Sequence, residues 1–397
     1  MIVLGGYQSD YARNLAREGT DLATLTGELV DGALADAALD VADIEVIHVG
    51  NAFGELFARQ AQMGALPATA RPELWGIPAS RHEAACASGS AAILGAMADL
   101  EAGRYDVALV LGIEQERSVP GDEAARILGT AAWTGHEGET AKFVWPHMFE
   151  RIAGAYAERY GLDRRHLRAI SEHNLAAARG NAKAQTRGWR VVAWDDLTAN
   201  PVVDGQLTRL ECSQVTDGGA AVILASPRWF AGRASESARR PVVIRGWGHR
   251  TAALGLDAKL ARRDGALLVP HVAAAFTDAC RRAGIGGSRD PGGIDAYEVH
   301  DCFAITEYLA IDHLGLTAPG ESWRAIEDGR IARINATGGL IGGGHPVGAT
   351  GVRMVLDAAR QLTDRAGDCQ LPDVHRVATL NIGGSATTAI SFVMGEL

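Results

Sequence analysis

Hydrophobic positions along this chain alternate between two periods. Short apolar runs bounded by Gly, Asp and Asn at residues 1–6 and 44–51 predict strands, and apolar residues recurring at helical spacing over about 22–39 predict a helix between them. An extended stretch at 79–85 leads into ACASGSAAILGAMADLEAG, a small-residue helix suited to burial against a sheet, and then a strand at 107–111. From about 115 to 207 the pattern changes: Trp, His and Arg concentrate, with helices expected at 146–160 and 164–178. A strand at 220–224 restores the alternation. After a polar stretch around 232–240 come a strand at 242–246, a helix at 269–283 and a strand at 296–299. A Gly-rich loop at 338–344, a helix at 349–364 and strands at 377–382 and 387–393 complete the chain.

The pattern repeats. LVDGALADAALDVADIEVIHVGNAF in the first half corresponds to VAAAFTDACRRAGI and then GGIDAYEVHDCFA in the second. In each half a turn then leads into a small-residue helix and a strand; the first turn carries Cys86 and the second His345. Strands alternating with helices imply an α/β fold with parallel or mixed sheets. A duplicated unit implies two pseudo-symmetric halves, 1–235 and 236–397, the first interrupted by an insertion over about 115–207. Ligands in such folds gather beyond the carboxyl ends of strands.

Length and composition narrow the class. At 397 residues the chain is too long for one simple core. A net charge of −10 disfavours a nucleic-acid surface, which needs clustered Lys and Arg. Five cysteines, an odd number without zinc-knuckle spacing, make a poor disulfide framework and point to the reducing cytoplasm. No basic n-region precedes the first strand, and no apolar run approaches the ~20 residues of a membrane span.

Four stretches can carry chemistry. In HEAACASGSAA, Cys86 stands at the amino end of a helix, where free N–H groups and the dipole stabilise a thiolate; a small buried core cysteine is the alternative reading of the motif alone. In GGLIGGGHPVGATG, His345 stands between a flexible approach and a helix start, a place for a base; the loop lacks the lysine of a phosphate-binding P-loop. HDCF puts His300 and Cys302 around an acid at a strand end. NIGGSATT is a strand followed by a Gly-rich bend whose N–H groups could serve an oxyanion or simply turn a hairpin.

Taken in order, AACASG, HDCF, GGGHPVGATG and NIGG resemble the thiolase superfamily across the whole chain. HDCF is similar to the sterol-carrier-protein-type branch; other thiolases carry NEAF there and a second catalytic cysteine in a C-terminal CxG, where this chain has Asn381. The resemblance implies a five-layer αβαβα thiolase fold and an acyl-CoA C-acyltransferase working through a Cys86 acyl-enzyme. His345 would deprotonate Cys86. Cys302, its thiol brought toward neutrality by His300 and His345, would exchange a proton with the α-carbon, His300 and His345 would polarise the thioester oxygen, and the N–H groups of Cys86 and Gly383 would hold the oxyanion. Coenzyme A would be substrate and product, with no resident cofactor and no metal. Ser213 would contact the pantetheine, and the insertion, with Arg164, Arg165, Arg168, Arg179, Lys183 and Arg187, would meet the nucleotide end. The family assembles as homodimers or homotetramers, and some relatives work with a small zinc-ribbon/OB-fold partner. Rival readings are an aldolase on the same fold, disfavoured by the presence of both Cys86 and His345, and a non-catalytic scaffold subunit.

Overall fold

The computed structural model describes residues 1–233, 240–262, 265–286 and 293–397. Most of the polar stretch around 232–240, and with it the expected boundary at 235/236, lies outside the described residues. Nine strands form the large sheet: β1 (Ile2–Gln8), β2 (Val46–Gly50), β3 (Ala79–His82), β4 (Val107–Gln115), β5 (Asp217–Ala225), β6 (Val242–Thr251), β7 (Ala296–Val299), β8 (Arg376–Gly383) and β9 (Thr388–Glu396). Their spatial order is β3-β2-β4-β5-β1-β6-β9-β8-β7. The main helices are α1 (Leu22–Ala37), α2 (Ser88–Glu101), α3 (Gly121–Leu128), α4 (Val144–Tyr160), α5 (Arg164–Ala177), α6 (Pro270–Arg282), α7 (Ala304–His313) and α8 (Thr350–Leu362).

The duplication is visible in the pairing. β2 runs parallel to β4, β4 antiparallel to β5, and β5 antiparallel to β1. In the second half β7 runs parallel to β8, β8 antiparallel to β9, and β9 antiparallel to β6. The halves join through a short antiparallel contact, Ile2 to Val243 and Val3 to Val242. β3 at the outer edge has no counterpart among the described strands.

Successive residues of a strand face opposite sides, so each half-sheet has two apolar faces to cover. Leu109, Leu111 and Ile113 of β4 pack with Leu25, Leu29 and Ala33 of α1. Ala108 and Val110 face the other way, onto Ala92 and Ala96 of α2 and Val352 and Val355 of α8. Ile390, Phe392 and Met394 of β9 close on the same central layer from the second half. Ala378, Leu380 and Ile382 of β8 cover Val272, Phe276 and Ala279 of α6 and the helix α7 beside it. The layers therefore run α1, first half-sheet, α2 with α8, second half-sheet, α6 with α7. Small residues in α2 are what allow a helix layer between two sheets.

Residues 116–216 connect β4 to β5 and hold α3, α4, α5 and a two-stranded hairpin, Val202–Asp204 with Leu207–Thr208. They pack over the carboxyl ends of β2, β4 and β7. Among the described residues no helix is long and apolar enough to cross a membrane, and all five cysteines are free.

Candidate active site

Three of the four stretches picked out above converge on one point, and the fourth borders it. The Cys86 sulfur and one ring nitrogen each of His300 and His345 lie within 4.8 Å of one another. The two imidazoles meet edge to face, with centroids 5.1 Å apart. Cys86, Cys302, His345 and Gly384 line one cavity of about 400 Å³, walled by Phe53, Leu128, Trp145, Phe149, Phe303 and Val347. Three such donors also make a set that a soft divalent cation would accept.

Hydrogen bonds decide which nitrogen does what. Thr350 Oγ1 lies 2.6 Å from His345 Nδ1 and donates its single hydrogen to Pro346 O. It therefore accepts from Nδ1–H, and Nε2, buried without a partner, keeps its lone pair. The Asn381 amide nitrogen is 3.1 Å from His300 Nδ1 and also donates to Cys86 O at 3.0 Å. In that amide orientation, supported by Ser90 donating to Asn381 Oδ1 at 2.9 Å, His300 Nδ1 is an acceptor and Nε2 carries the proton. One imidazole is set up as a base and the other as a donor. Burial holds both neutral, His345 down to about 3 with help from Arg353, and His300 well below its ordinary value with help from His345 and Arg353.

Two sequence expectations need correction. The Cys86 thiol is pushed up to about 12, not down. Burial and the neighbouring Glu116 outweigh the N–H of Gly384, and the helix begins only at Ser88, too far along to dominate. Cys86 therefore rests as a thiol and needs a base at the moment of attack. Cys302 is likewise raised well above its usual value, by burial and by Cys86, so the histidines do not bring it toward neutrality. Its sulfur faces Thr306 Oγ1 at 3.8 Å.

Gly384 shares the cavity wall with Cys86. Gly383, named from sequence, ends β8 where an added Cβ would collide with Ala84 O. Ser213 lines the cavity and donates its N–H to Cys302 O at 2.8 Å. None of the basic residues expected to meet the nucleotide lines the cavity, and apart from the exposed Arg179 they are engaged elsewhere. Arg164 pairs with Glu150 at 2.5 Å, Arg168 with Glu172 at 2.9 Å, and Lys183 donates to Tyr7 OH at 3.3 Å. Arg209 is the guanidinium on the cavity wall, its head 5.8 Å from the Trp189 ring centroid.

Sequence reading missed the carboxylates that carry the Gly-rich loop. Asp301 accepts from the N–H groups of Leu340 and Ile341 at 2.6 and 3.1 Å and from Asn174 at 2.8 Å. Glu116 accepts from Val347 N–H at 2.7 Å, and Glu114 from Gly348 N–H at 3.2 Å. The loop bearing His345 is thus gripped before and after the histidine, from both halves. The signal was present in GIEQE: two acids at i and i+2 share one strand face, which the sequence reading cut off at Leu111.

The comparisons with known proteins agree with this arrangement. Residues 8–228 match the family described as "Thiolase, N-terminal domain" and residues 257–396 that described as "Thiolase C-terminal domain-like". An acetyl-CoA acetyltransferase of Methanothermobacter thermautotrophicus is 33% identical, covering 90% of each chain. Human sterol carrier protein 2 is 27% identical over all of this chain and 72% of its own length. Among solved structures, an Ltp2-ChsH2(DUF35) aldolase superposes with a TM-score of 0.79 at 20% identity, covering 100% of this chain and 97% of its own. The Acat5 thiolase from Ascaris suum in complex with coenzyme A gives 0.72 at 16% identity, covering 100% and 99%.

Proposed function

This chain belongs to the thiolase family, and we propose that it transfers acyl groups between coenzyme A thioesters through a Cys86 acyl-enzyme, cleaving a 3-oxoacyl-CoA or running the condensation in reverse. The observation that carries this reading is the unpartnered Nε2 of His345, clustered with the Cys86 thiol and aimed by Thr350. His345 Nε2 takes the thiol proton as Cys86 attacks the carbonyl carbon. The carbonyl oxygen gains charge and is met by N–H groups at the Cys86 turn and at Gly384. His300, protonated at Nε2, donates to the second thioester oxygen and favours its enolate form. Cys302, a thiol at rest, gives its proton to the α-carbon in cleavage and regains one from the coenzyme A thiol that then takes the acyl group from Cys86; in condensation it first protonates the departing coenzyme A thiolate and, as the thiolate, takes the α-proton. Asn381 acts as a positioning residue: it ties the Cys86 turn to His300 and sets that ring's tautomer.

The apolar walls exclude water from the enolate and leave room for more than an acetyl group. Ser213 and Arg209, at the rim toward the insertion, support placing the pantetheine and nucleotide there, so that residues 115–207 cover coenzyme A. A homodimer is the minimum assembly: β3 is an edge strand with exposed Ala79 and Ser80, next to the exposed Trp75, and an uncovered edge invites pairing. The likeness to the Ltp2-ChsH2(DUF35) aldolase supports a small partner protein as well. Five free cysteines fit the cytoplasm. Intact-protein mass spectrometry after incubation with acyl-CoA esters tests the central step. One acyl group on Cys86 is expected; an adduct confined to Cys302, with Cys86→Ser fully active, would overturn it.

A further inference from the structure

Behind the bend that carries Gly384 lies a buried lysine that the reaction outlined above does not use. Lys259 sits on the short helix Leu256–Leu260 and is 3% exposed. Its three N–H donors go to Leu254 O at 3.1 Å, Ser385 Oγ at 2.8 Å and Thr387 Oγ1 at 2.7 Å. All three acceptors are neutral, and among the described residues no carboxylate lies within ion-pair distance of it. A buried ammonium without a counter-charge is costly to keep, so its place needs a reason.

The residues it grips belong to the turn between β8 and β9. Gly384 and Ala386 there have φ of +61° and +58°; for alanine this left-handed conformation is unfavourable and must be imposed by its surroundings. Lys259 holds Ser385 and Thr387, one residue on either side of Ala386, and His271 Nε2 lies 2.6 Å from Ala386 O. The same turn brings Gly384 to the wall of the cavity that Cys86 also lines. We propose that Lys259 is a positioning residue for the oxyanion site: it locks the 384–387 turn in the conformation that aims the Gly384 N–H at the acyl group, and its charge favours negative charge developing on the far side. Burial draws Lys259 down to about 8, with Glu137 opposing, so the ammonium remains the main form at neutral pH.

The inference rests on the acyl-transfer reading, and the test separates the two. Wild type, Lys259→Met, Lys259→Arg and Thr387→Val are compared for the rate of Cys86 acylation, for kcat and KM in thiolysis, and for melting temperature. Removing one oxyanion donor outright costs about 10²–10³ in kcat, and a loosened donor should cost roughly 10–100-fold. The expected result is that loss in Lys259→Met with KM changed less than about threefold, partial recovery in Lys259→Arg, and a smaller loss of the same kind in Thr387→Val. A folded Lys259→Met that acylates at the wild-type rate overturns the proposal. So does a loss in kcat that follows melting temperature alone across the variants. If Lys259→Met does not fold, an unchanged kcat in folded Thr387→Val has the same consequence. Failure of the wild type itself to be acylated would instead count against the acyl-transfer reading.

Discussion

The carboxyl ends of β2 and β7 hold equivalent places in the two halves, each beside a parallel neighbour. One reads Gly50-Asn51-Ala52-Phe53, the other His300-Asp301-Cys302-Phe303. The two phenylalanines serve alike, as walls of the same cavity. The other three positions diverge. At Gly50 the helix α2 packs so near that an added Cβ would lie 2.7 Å from Gly89 Cα; the matching His300 sits in the catalytic cluster. Asn51 donates to the Glu114 carboxylate at 2.8 Å, whereas Asp301 accepts from two backbone N–H groups. Ala52 has no polar side chain and gives its N–H to Glu114, whereas Cys302 offers a thiol. The duplicated fold thus brings two strand ends to one cavity; one copy supports the scaffold and the other supplies the groups proposed to react.

Substitutions at matched positions can break that contrast. The largest effect is expected at the third position. Cys302→Ala should lower carbon–carbon cleavage by about 10³-fold or more while Cys86 still takes up an acyl group, because acylation and α-carbon proton transfer are separate steps. Exchange of acetyl-CoA methyl protons with deuterated water should vanish with it, and Asn381→Ala should spare that exchange more than Cys302→Ala does. Ala52→Ser should leave kcat within about twofold. Thiolysis surviving in Cys302→Ala would erase the distinction between the two strand ends.

The second position should tolerate neither of the reciprocal swaps. Asp301→Asn leaves at least one of two buried N–H groups with a poorer acceptor and should cost about 1–3 kcal/mol of stability. Asn51→Asp removes a donor from Glu114 and sets a second carboxylate against it, with a cost of similar size that grows with pH. Denaturant unfolding would read both. Equal and small effects would mean that these residues merely fill space.

The pH dependence sharpens the same point. Burial pushes Glu114 up to about 7 from its ordinary 4.5, so the folded protein holds a proton that the unfolded chain releases. That group's stabilising share is complete below about pH 4.5 and is lost as pH rises through 7. His345 has the reverse sign: held down to about 3, its share is complete above about 6.5 and is lost as pH falls toward 3. Melting temperature should therefore fall between about pH 5 and 8, and less steeply in Glu114→Gln. A wild-type profile already as flat as that of Glu114→Gln would contradict the buried acid.

The smallest effect concerns the rim. Arg209→Ala should raise KM for coenzyme A by roughly 2–10-fold, more at low salt than at high, since exposed charge contacts are screened over about 10 Å at 0.1 M. Lys183→Ala, tied to Tyr7 away from the cavity, should change it by less than about twofold. The reverse ranking would return the nucleotide to the residues first suspected.

Much of the scaffold was legible in the residues. Alternating apolar runs placed the strands of both halves, and α1, α2, α4, α5, α6 and α8 start and stop within a few residues of the expected positions, because each keeps one face toward a sheet. The helix α7 was not expected. All ten of its residues are buried, Glu307 and Asp312 among them, so AITEYLAIDH shows no solvent-facing stripe to count. Its acids find buried partners instead: Glu307 accepts from Asn174 and Asn335, and Asp312 from Tyr156. The chain order alone could not reveal these pairings.

The same division holds at the site. Cys86, His300, Cys302 and His345 were legible because thiols and imidazoles at strand ends and helix starts are unusual, and because their order along the chain resembles one family. Protonation was not legible. A helix start suggested a thiolate at Cys86, yet burial and Glu116, which stands just past the end of β4, hold the thiol together. The roles of the two imidazoles depend on Thr350, five residues from His345, and on Asn381, 81 residues from His300. Nor could the sequence say which basic residues are free for a nucleotide, since Arg164 and Lys183 find partners only once α4, α5 and β1 are packed. Local periodicity determines which elements form and which residue types stand at their ends. Charge state and hydrogen-bond direction depend on burial and on neighbours brought in from distant parts of the chain, and only the packed tertiary structure decides those.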